Sequence, residues 1–528
     1  MTFDHTRLPQ LQDHLNLLQS IKRGVEREGL RVTPLATLAV TDHPKALGST
    51  LTHPYITTDY AEALLELITG THKSVGELYA ELKHIQQFVA SKLDNEVFWN
   101  QSMPAHLPDE EDIRIGWYGP SNQGLFRNIY RRGLAERYGK RMQCIAGVHY
   151  NLSFPDQFWQ DLQFPGGDLQ TQRTNGYLAL IRNFTRYAWL LMYLFGASPV
   201  VSSDFLTGHR LPLEQVGPDT YTLPWATSLR MSDLGYQNKE AQAELQLCYN
   251  DLNTFLMRMW RAVTSPWPDY EKIGTHRNGE WIQLNNNILQ IENEYYSNIR
   301  PKRNPTAGER PLSALAENGI EYIEVRCLDI DPYDAAGLSL ESSYFIDTFL
   351  LFCVTEASPF FSEGGFCQDS QDNFAKVVRQ GRKPGLLLKD PDANEISLQE
   401  WGHQILTRMQ PYARALDEGQ GLNNIHQKAL AAQEKKILNA QLCPSARLLE
   451  DISSSGLSFV EFTLQQSQRQ QAQLNAHPLP LEVAQRFEEL ALESIHEQKK
   501  IESEPQTESF EQYLARLNSK LMERQVFL

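Results

Sequence analysis

Apolar positions change their period several times along the chain. Residues 75–93 put Leu78, Leu82, Ile85 and Phe88 at helical spacing. Residues 176–195 are apolar nearly all round, which predicts a long buried helix. Residues 8–19 read as a polar-faced helix and 239–263 as another helix. Two-residue alternation at 24–32, 146–154 and 319–328 predicts strands instead. Residues 61–69 are apolar with two glutamates and fit a helix or a strand. After about residue 335 the pattern is mostly helical, with a loop at 384–392 and a Gln-rich surface helix or loop at 465–473. No repeat and no Pro-, Gly- or Ser-rich linker divides the chain. The expectation is a single α+β unit over 1–528, sheet-rich through 335 and helical over 336–528.

Composition narrows the function. The chain has 528 residues, of which 41% are hydrophobic and 22% charged, so it can bury a large core. Asp plus Glu is 65 against 49 Lys plus Arg, and a net charge of −16 argues against nucleic acid as a partner. Cysteines stand at 144, 248, 327, 353, 367 and 443 with no C-x-x-C pair, which reads as free thiols in a reducing compartment. The apolar runs at 187–197 and 344–355 fall short of the roughly 20 residues a membrane span needs. Residues 1–19 contain no apolar signal stretch. The reading is a cytoplasmic protein with no membrane partner.

The strands carry the candidate chemistry. In Glu26-Arg27-Glu28, alternation puts both glutamates on one face with Leu30, and Arg27 on the other with Val25. Two carboxylates roughly 7 Å apart on rigid backbone repel unless a cation sits between them, and hard oxygen ligands suit Mg²⁺. A solvated strand face is the plainer reading of that pair alone. Glu66 lies in an otherwise apolar run, where a carboxylate is costly unless paired or metal-bound. On a helix, Glu62 and Glu66 would instead be surface neighbours at i, i+4. His149, Asn151 and Ser153 share a face, so His149 is a metal or substrate ligand or a hydrogen-bonded structural residue. Glu324 and Arg326 share a face with Tyr322. A carboxylate for a cation beside a guanidinium for a phosphate oxygen is what phosphoryl transfer asks for; a simple ion pair is the alternative. The stretch 127–141 mixes arginines with aromatics and reads as a solvated helix face or a local anion-binding segment.

There is no P-loop, dinucleotide fingerprint, nucleophile elbow or H-E-x-x-H motif. Nucleotide chemistry would have to run on cations held by carboxylates. Taken in order, G-V-E-R-E-G-L-R-V, T-D-Y-A-E-A-L-L-E-L-I-T-G, G-V-H-Y-N-L-S-F-P, L-F-G-A-S-P, T-S-L-R-M-S-D-L-G-Y, I-E-N-E-Y-Y, I-R-P-K and G-I-E-Y-I-E-V-R-C-L-D resemble the bacterial glutamate–cysteine ligase family of the γ-proteobacterial type. The blocks run from residue 24 to about 329.

That resemblance implies a glutamine synthetase-like α+β fold, a curved antiparallel sheet with a catalytic concave face, flanked by helices. It implies ATP-dependent joining of the γ-carboxylate of L-glutamate to the amine of L-cysteine, with two or three Mg²⁺ per site. Carried over motif by motif, Glu26, Glu28, Asp59, Glu66, His149 and Glu324 would be the metal shell, with Glu28, Glu324 and Arg326 at the reacting groups. Arg230 would hold the cysteine carboxylate, and Tyr130, Leu134, Gln143, Tyr236 and Tyr296 would line the cysteine pocket. The family usually has Phe where this chain has Tyr60. On charge grounds Arg131, Arg300 and Lys302 join Arg326 as expected phosphate contacts. The resemblance also implies glutathione as feedback inhibitor and a monomeric enzyme.

Overall fold

The structure, a computed structural model, describes residues 3–206, 212–235, 240–243, 245–306, 308–362, 364–505 and 507–523. Its centre is a seven-stranded antiparallel sheet. The strands are β1 (Lys22–Val32), β2 (Ile56–Thr58), β3 (Leu64–Ile68), β4 (Val97–Phe98), β5 (Val148–Ser153), β6 (Ile299–Lys302) and β7 (Tyr322–Leu328). Their order is β6-β7-β5-β1-β3-β2, and β4 pairs with the end of β1. The three alternating segments are thus strands, and 61–69 resolves in favour of a strand. Glu62 lies before β3 and is not a surface helix residue. It is buried, and its carboxylate accepts the backbone N–H groups of His43 (3.0 Å) and Trp117 (2.8 Å).

Pairing brings distant residues into line. Glu26 stands opposite His149 on β5 and Ile68 on β3. Glu28 faces Glu66, and Glu324 lies between Asn151 and Arg300. Because side chains alternate across the pleat, these polar residues share one face. Val25, Val148, Tyr150, Leu152, Ile323 and Val325 project to the other and are buried.

Helices pack on that apolar face and around the sheet. The principal ones are α1 (Val75–Lys92), α2 (Asn122–Tyr138), α3 (Leu169–Phe195), α4 (Leu340–Thr355), α5 (Gln368–Gln380), α6 (Leu398–Gln420), α7 (Ile425–Leu438), α8 (Phe459–Ala476), α9 (Leu481–Ser503) and α10 (Phe510–Glu523). α3 packs on β6, β7 and α4. Of its last seventeen residues all but Thr185 are buried, including Arg182, Asn183 and Arg186, which donate to backbone carbonyls. One hydrophobic core runs from Phe3 to Leu521. The C-terminal helices reach back to the N-terminal part: Phe487 of α9 stacks on Phe88 of α1 at 5.2 Å, and Leu514 of α10 packs with Ile129 of α2 and Leu284.

Some expectations are corrected. The segment 239–263 is not one helix. Residues 239 and 244 lie outside the described residues; a one-turn helix at Glu240–Ala243 and a helix at Leu252–Thr264 stand apart, and 245–251 between them are not helical. Asn250 binds the backbone of Phe361 from both ends of its amide (2.8 and 3.0 Å), and Asp251 caps the new helix through the N–H of Thr254. The helix at 8–19 breaks at His14 into Leu8–Asp13 and a 3₁₀ turn, Leu15–Ser20. The loop at 384–392 contains a strand, Leu387–Lys389, in a small hairpin. The Gln-rich stretch is a surface helix as expected, part of α8, with Gln471 bridging the backbone of Phe98 and Glu96. All six cysteines are free. Among the described residues no helix is long and apolar enough to cross a membrane.

Candidate active site

The polar face of the sheet gathers negative charge around one imidazole. His149 Nδ1 lies 3.1 Å from Glu26 Oε2 and 4.0 Å from Glu324 Oε1, while its Nε2 lies 3.5 Å from Glu28. Ligand atoms of Glu26, His149 and Glu324 fall within 4.8 Å of one another. Asn151 donates to Glu26 at 3.2 Å, and the N–H of Gly147 donates to Glu28 at 2.7 Å. These side chains are held by strands on both sides, so their spacing is set by the sheet register.

The electrostatics are those of a site short of cations. Burial, then Glu26, Asp59 and Glu28, push the Glu66 carboxyl well above the ordinary range. Burial and Asp59 also push Glu28 up, against the pull of His149, Arg230 and Arg326. Burial and Glu324 oppose the charge of Glu26, but the hydrogen bond with His149 and the charge of Lys302 hold it below its usual value. Glu324 resists burial best, because Arg326, Lys302 and Arg300 surround it and hold it far down. The distances are 3.0, 3.4 and 3.8 Å respectively. Crowding like charges on rigid backbone is costly unless cations join them. Several carboxylates with one imidazole form a donor set that fits Mg²⁺ or a similar hard divalent ion.

A cleft of about 110 Å³ opens beside this face. Glu28, Asp59 and Arg326 form one wall, and Tyr130, Arg131 and Leu134 of α2 another; Gln143 and Tyr296 also line it. α2 starts at Ser121, whose side chain accepts the N–H of Gly124. The helix turns Arg131 toward the cleft, where it donates to the carbonyl of Asp59 and lies 4.6 Å over the Tyr118 ring. The rest of the basic stretch is spent elsewhere, with Arg137 buried against Glu294 at 2.9 Å. Arg300 and Lys302 face a second, more apolar cavity of about 220 Å³, which Tyr249, Tyr295 and Tyr322 help line. Burial and Arg326 lower Arg300 to about 10.

Arg230 sits underneath rather than in the cleft. It is 1% exposed and donates to the carbonyls of Arg326 (2.9 Å) and Leu328 (3.2 Å), with Asp329 at 3.6 Å. It lies so close to Gly147 that a Cβ there would meet its Nη2 at 2.1 Å, so that position needs glycine. Tyr236 lies outside the described residues. Reasoning from sequence assigned no role to Asn151 or Glu294. Asn151 was visible as a face-mate of His149. Glu294, which accepts from Tyr138 at 2.7 Å at the back of the cleft, stood in the I-E-N-E-Y-Y block but without periodicity to mark it.

Known proteins resemble this chain over nearly its whole length. A family model described as glutamate-cysteine ligase matches residues 8–377. A glutamate–cysteine ligase from Bordetella petrii is 55% identical over 516 residues, covering 98% of this chain and 97% of its own length. One from Pseudomonas aeruginosa is 49% identical over 512 residues, 96% of each chain. The crystal structure of a Francisella tularensis glutamate–cysteine ligase in complex with AMP superposes with a TM-score of 0.88 at 33% identity, covering 96% of this chain and 99% of that one. A bifunctional glutathione synthetase from Pasteurella multocida shares the fold over 92% of this chain and 58% of its own, at a TM-score of 0.71 and 23% identity. With the matching model spanning most of its length and close relatives nearly all of it, the chain belongs to the glutamate–cysteine ligase family.

Proposed function

We propose that this chain joins the γ-carboxylate of L-glutamate to the amine of L-cysteine on the polar face of its sheet, with ATP going to ADP and phosphate through a γ-glutamyl phosphate. The product, γ-glutamylcysteine, is the first intermediate of glutathione synthesis. The convergence of Glu26, Glu28, Glu66, His149 and Glu324 beside Arg326 carries this reading. That face serves as the concave catalytic face of a glutamine synthetase-like fold, and residues 1–528 act as one unit.

An unactivated carboxylate does not acylate an amine in water, and bringing it to a triphosphate sets anion against anion. Two or three Mg²⁺ held by Glu26, Glu28, Asp59, Glu66, His149 and Glu324 would supply charge neutralisation. The protein's own groups do the rest. Arg326, Lys302 and Arg300, poised on Glu324, can shift to phosphate oxygens when ATP arrives. Arg131 approaches the same place from α2. The apolar cavity beside Arg300 and Lys302 suits the nucleoside end of ATP. Tyr130, Leu134, Gln143 and Tyr296 form the acceptor cleft, where the cysteine amine meets the acyl phosphate. Arg230 draws the acceptor's carboxylate toward the end of β7. Glutathione, which carries a γ-glutamyl group, inhibits against glutamate.

Isotope transfer tests the mechanism. With ¹⁸O in the γ-carboxylate of glutamate, one labelled oxygen should appear in inorganic phosphate for each amide bond formed. The carboxylate keeps its oxygen on phosphorus, and the amine then breaks the carbon–oxygen bond. Unlabelled phosphate, under conditions where the amide forms, would end the acyl-phosphate reading.

A further inference from the structure

Behind the sheet, where β7 ends, lies another cavity, of about 160 Å³. Its wall is Leu328 and Asp329 at the strand end, Asp331 in the following loop, the first turn of α4, Lys436 of α7 and, at the rim, Arg447. It shares no residue with the catalytic cleft.

Opposite charges face this cavity without reaching one another. The half-buried Lys436 ammonium donates to the carbonyl of Leu194 at 3.1 Å and, among the described residues, belongs to no ion pair. The half-buried Asp331 carboxylate accepts the N–H of Tyr333 at 2.9 Å and likewise has no cationic partner in contact among the described residues. At the rim, Arg447 lies 3.5 Å over the Tyr333 ring and 3.7 Å from the Asp451 carboxylate outside the cavity, and Glu341 accepts the Gln433 amide at 3.0 Å. An ammonium has three protons to donate and a carboxylate about four acceptor positions, so both inner groups have capacity to spare. Burial pulls the ammonium down and the carboxyl up, as expected of charges that lack full solvation.

A free anion would satisfy the two cations and crowd the two acids. A neutral ligand would leave all four as they are. A molecule bearing one charge of each sign a few ångströms apart completes both sides at once. We propose that this cavity binds a small free α-amino acid, its carboxylate on Lys436 and Arg447 and its ammonium on Asp331 and Glu341. The site is separate from the one where amino acids react. It touches that site through Asp329, which walls the cavity and also anchors Arg230.

Equilibrium dialysis of radiolabelled L-alanine against the full chain tests this, since alanine has neither a thiol nor a γ-carboxylate. The expected result is one saturable site per chain, weakened about thirtyfold or more in Lys436→Met and in Asp331→Asn and unchanged in Tyr130→Ala of the acceptor cleft. If Lys436→Met fails to fold by circular dichroism, Arg447→Met at the exposed rim should weaken binding instead. Binding lost in Tyr130→Ala and kept in the cavity variants would assign alanine to the acceptor cleft and overturn the proposal. So would displacement by inorganic phosphate that survives Asp331→Asn, which marks a plain anion site. The absence of saturable binding up to about 10 mM would overturn it as well.

Discussion

The two faces of β1 solve the same problem in opposite ways. On the front, Glu26 and Glu28 meet Glu66, Glu324 and a single imidazole, and the local protein supplies too little positive charge. On the back, Arg23, Arg27 and Arg31 are as deeply buried, yet two of the three meet a carboxylate of the protein. Arg23 forms a fork with Asp347 at 2.6 and 2.7 Å. Arg31 pairs with Glu96 at 2.7 Å. Arg27 is the exception: it donates to the neutral Asn100 at 2.6 Å and lies 4.0 Å over Phe98, and burial lowers it to about 9. Charges matched internally hold the fold together. Charges left unmatched on equally rigid backbone are held in reserve for something that arrives from outside.

The largest expected effect breaks the back. Asp347→Ala strands Arg23 and the Tyr150 hydroxyl, which donates to Asp347 at 2.8 Å. Removing one partner of a buried pair costs about 3–5 kcal/mol, so the urea midpoint should fall sharply; an unchanged midpoint would mean that the back network does not bear on stability.

Breaking the front should do the reverse. Glu28→Gln removes a charge from a crowded cluster, so the metal-free protein should melt no lower than the wild type. Activity at saturating Mg²⁺ should fall about a hundredfold or more, about 2.7 kcal/mol of barrier. A variant retaining more than about a tenth of the rate would remove Glu28 from the principal ligands.

Arg230 straddles the two classes, and its replacement sharpens the contrast. Arg230→Ala should raise the KM for cysteine about thirtyfold or more and leave that for glutamate nearly unchanged. Equal rises for both substrates would show that it works only as an internal partner of Asp329 and β7.

The smallest effect is a pH dependence at the back. Burial opposes charge on His426, but Asp347, 4.0 Å from Nε2, and Asp417, hydrogen-bonded to Nδ1 at 3.1 Å, prevail and raise its pKa. A histidine raised on folding gives stability that is complete below its unfolded value of about 6.5 and is lost as pH rises through the folded one. Wild-type stability should therefore decline across that window relative to His426→Gln; parallel curves for the two proteins would exclude the histidine.

Much of the front face was legible in the sequence because a strand writes its faces in a period of two. Glu26 with Glu28, and His149 with Asn151, could be paired off without any structure. That these pairs stand opposite each other could not, since register depends on which strands meet. Glu66 illustrates the limit: its apolar run suits either period, and only pairing with β1 and β2 decides for a strand. Arg131 reaches the cleft from a helix whose other arginines point elsewhere, so charge in the sequence said little about which of them would serve. The break near residue 250 was hidden because its cause, the backbone of Phe361, lies 111 residues away.

The support of α2 has a consequence for how the molecule is made. This helix carries Tyr130, Arg131 and Leu134, yet its outer side rests on Leu514 and Phe510 of α10, and Asn122 donates to the carbonyl of Glu508 across 386 residues of sequence. During synthesis α2 leaves the ribosome long before its buttress exists. The sheet can form first, since its strands lie within residues 22–328. The acceptor wall must wait, which makes its docking a late event of high sequence separation and correspondingly slow closure. A nascent chain stalled before α10 should display a protected sheet in hydrogen exchange while α2 still exchanges freely.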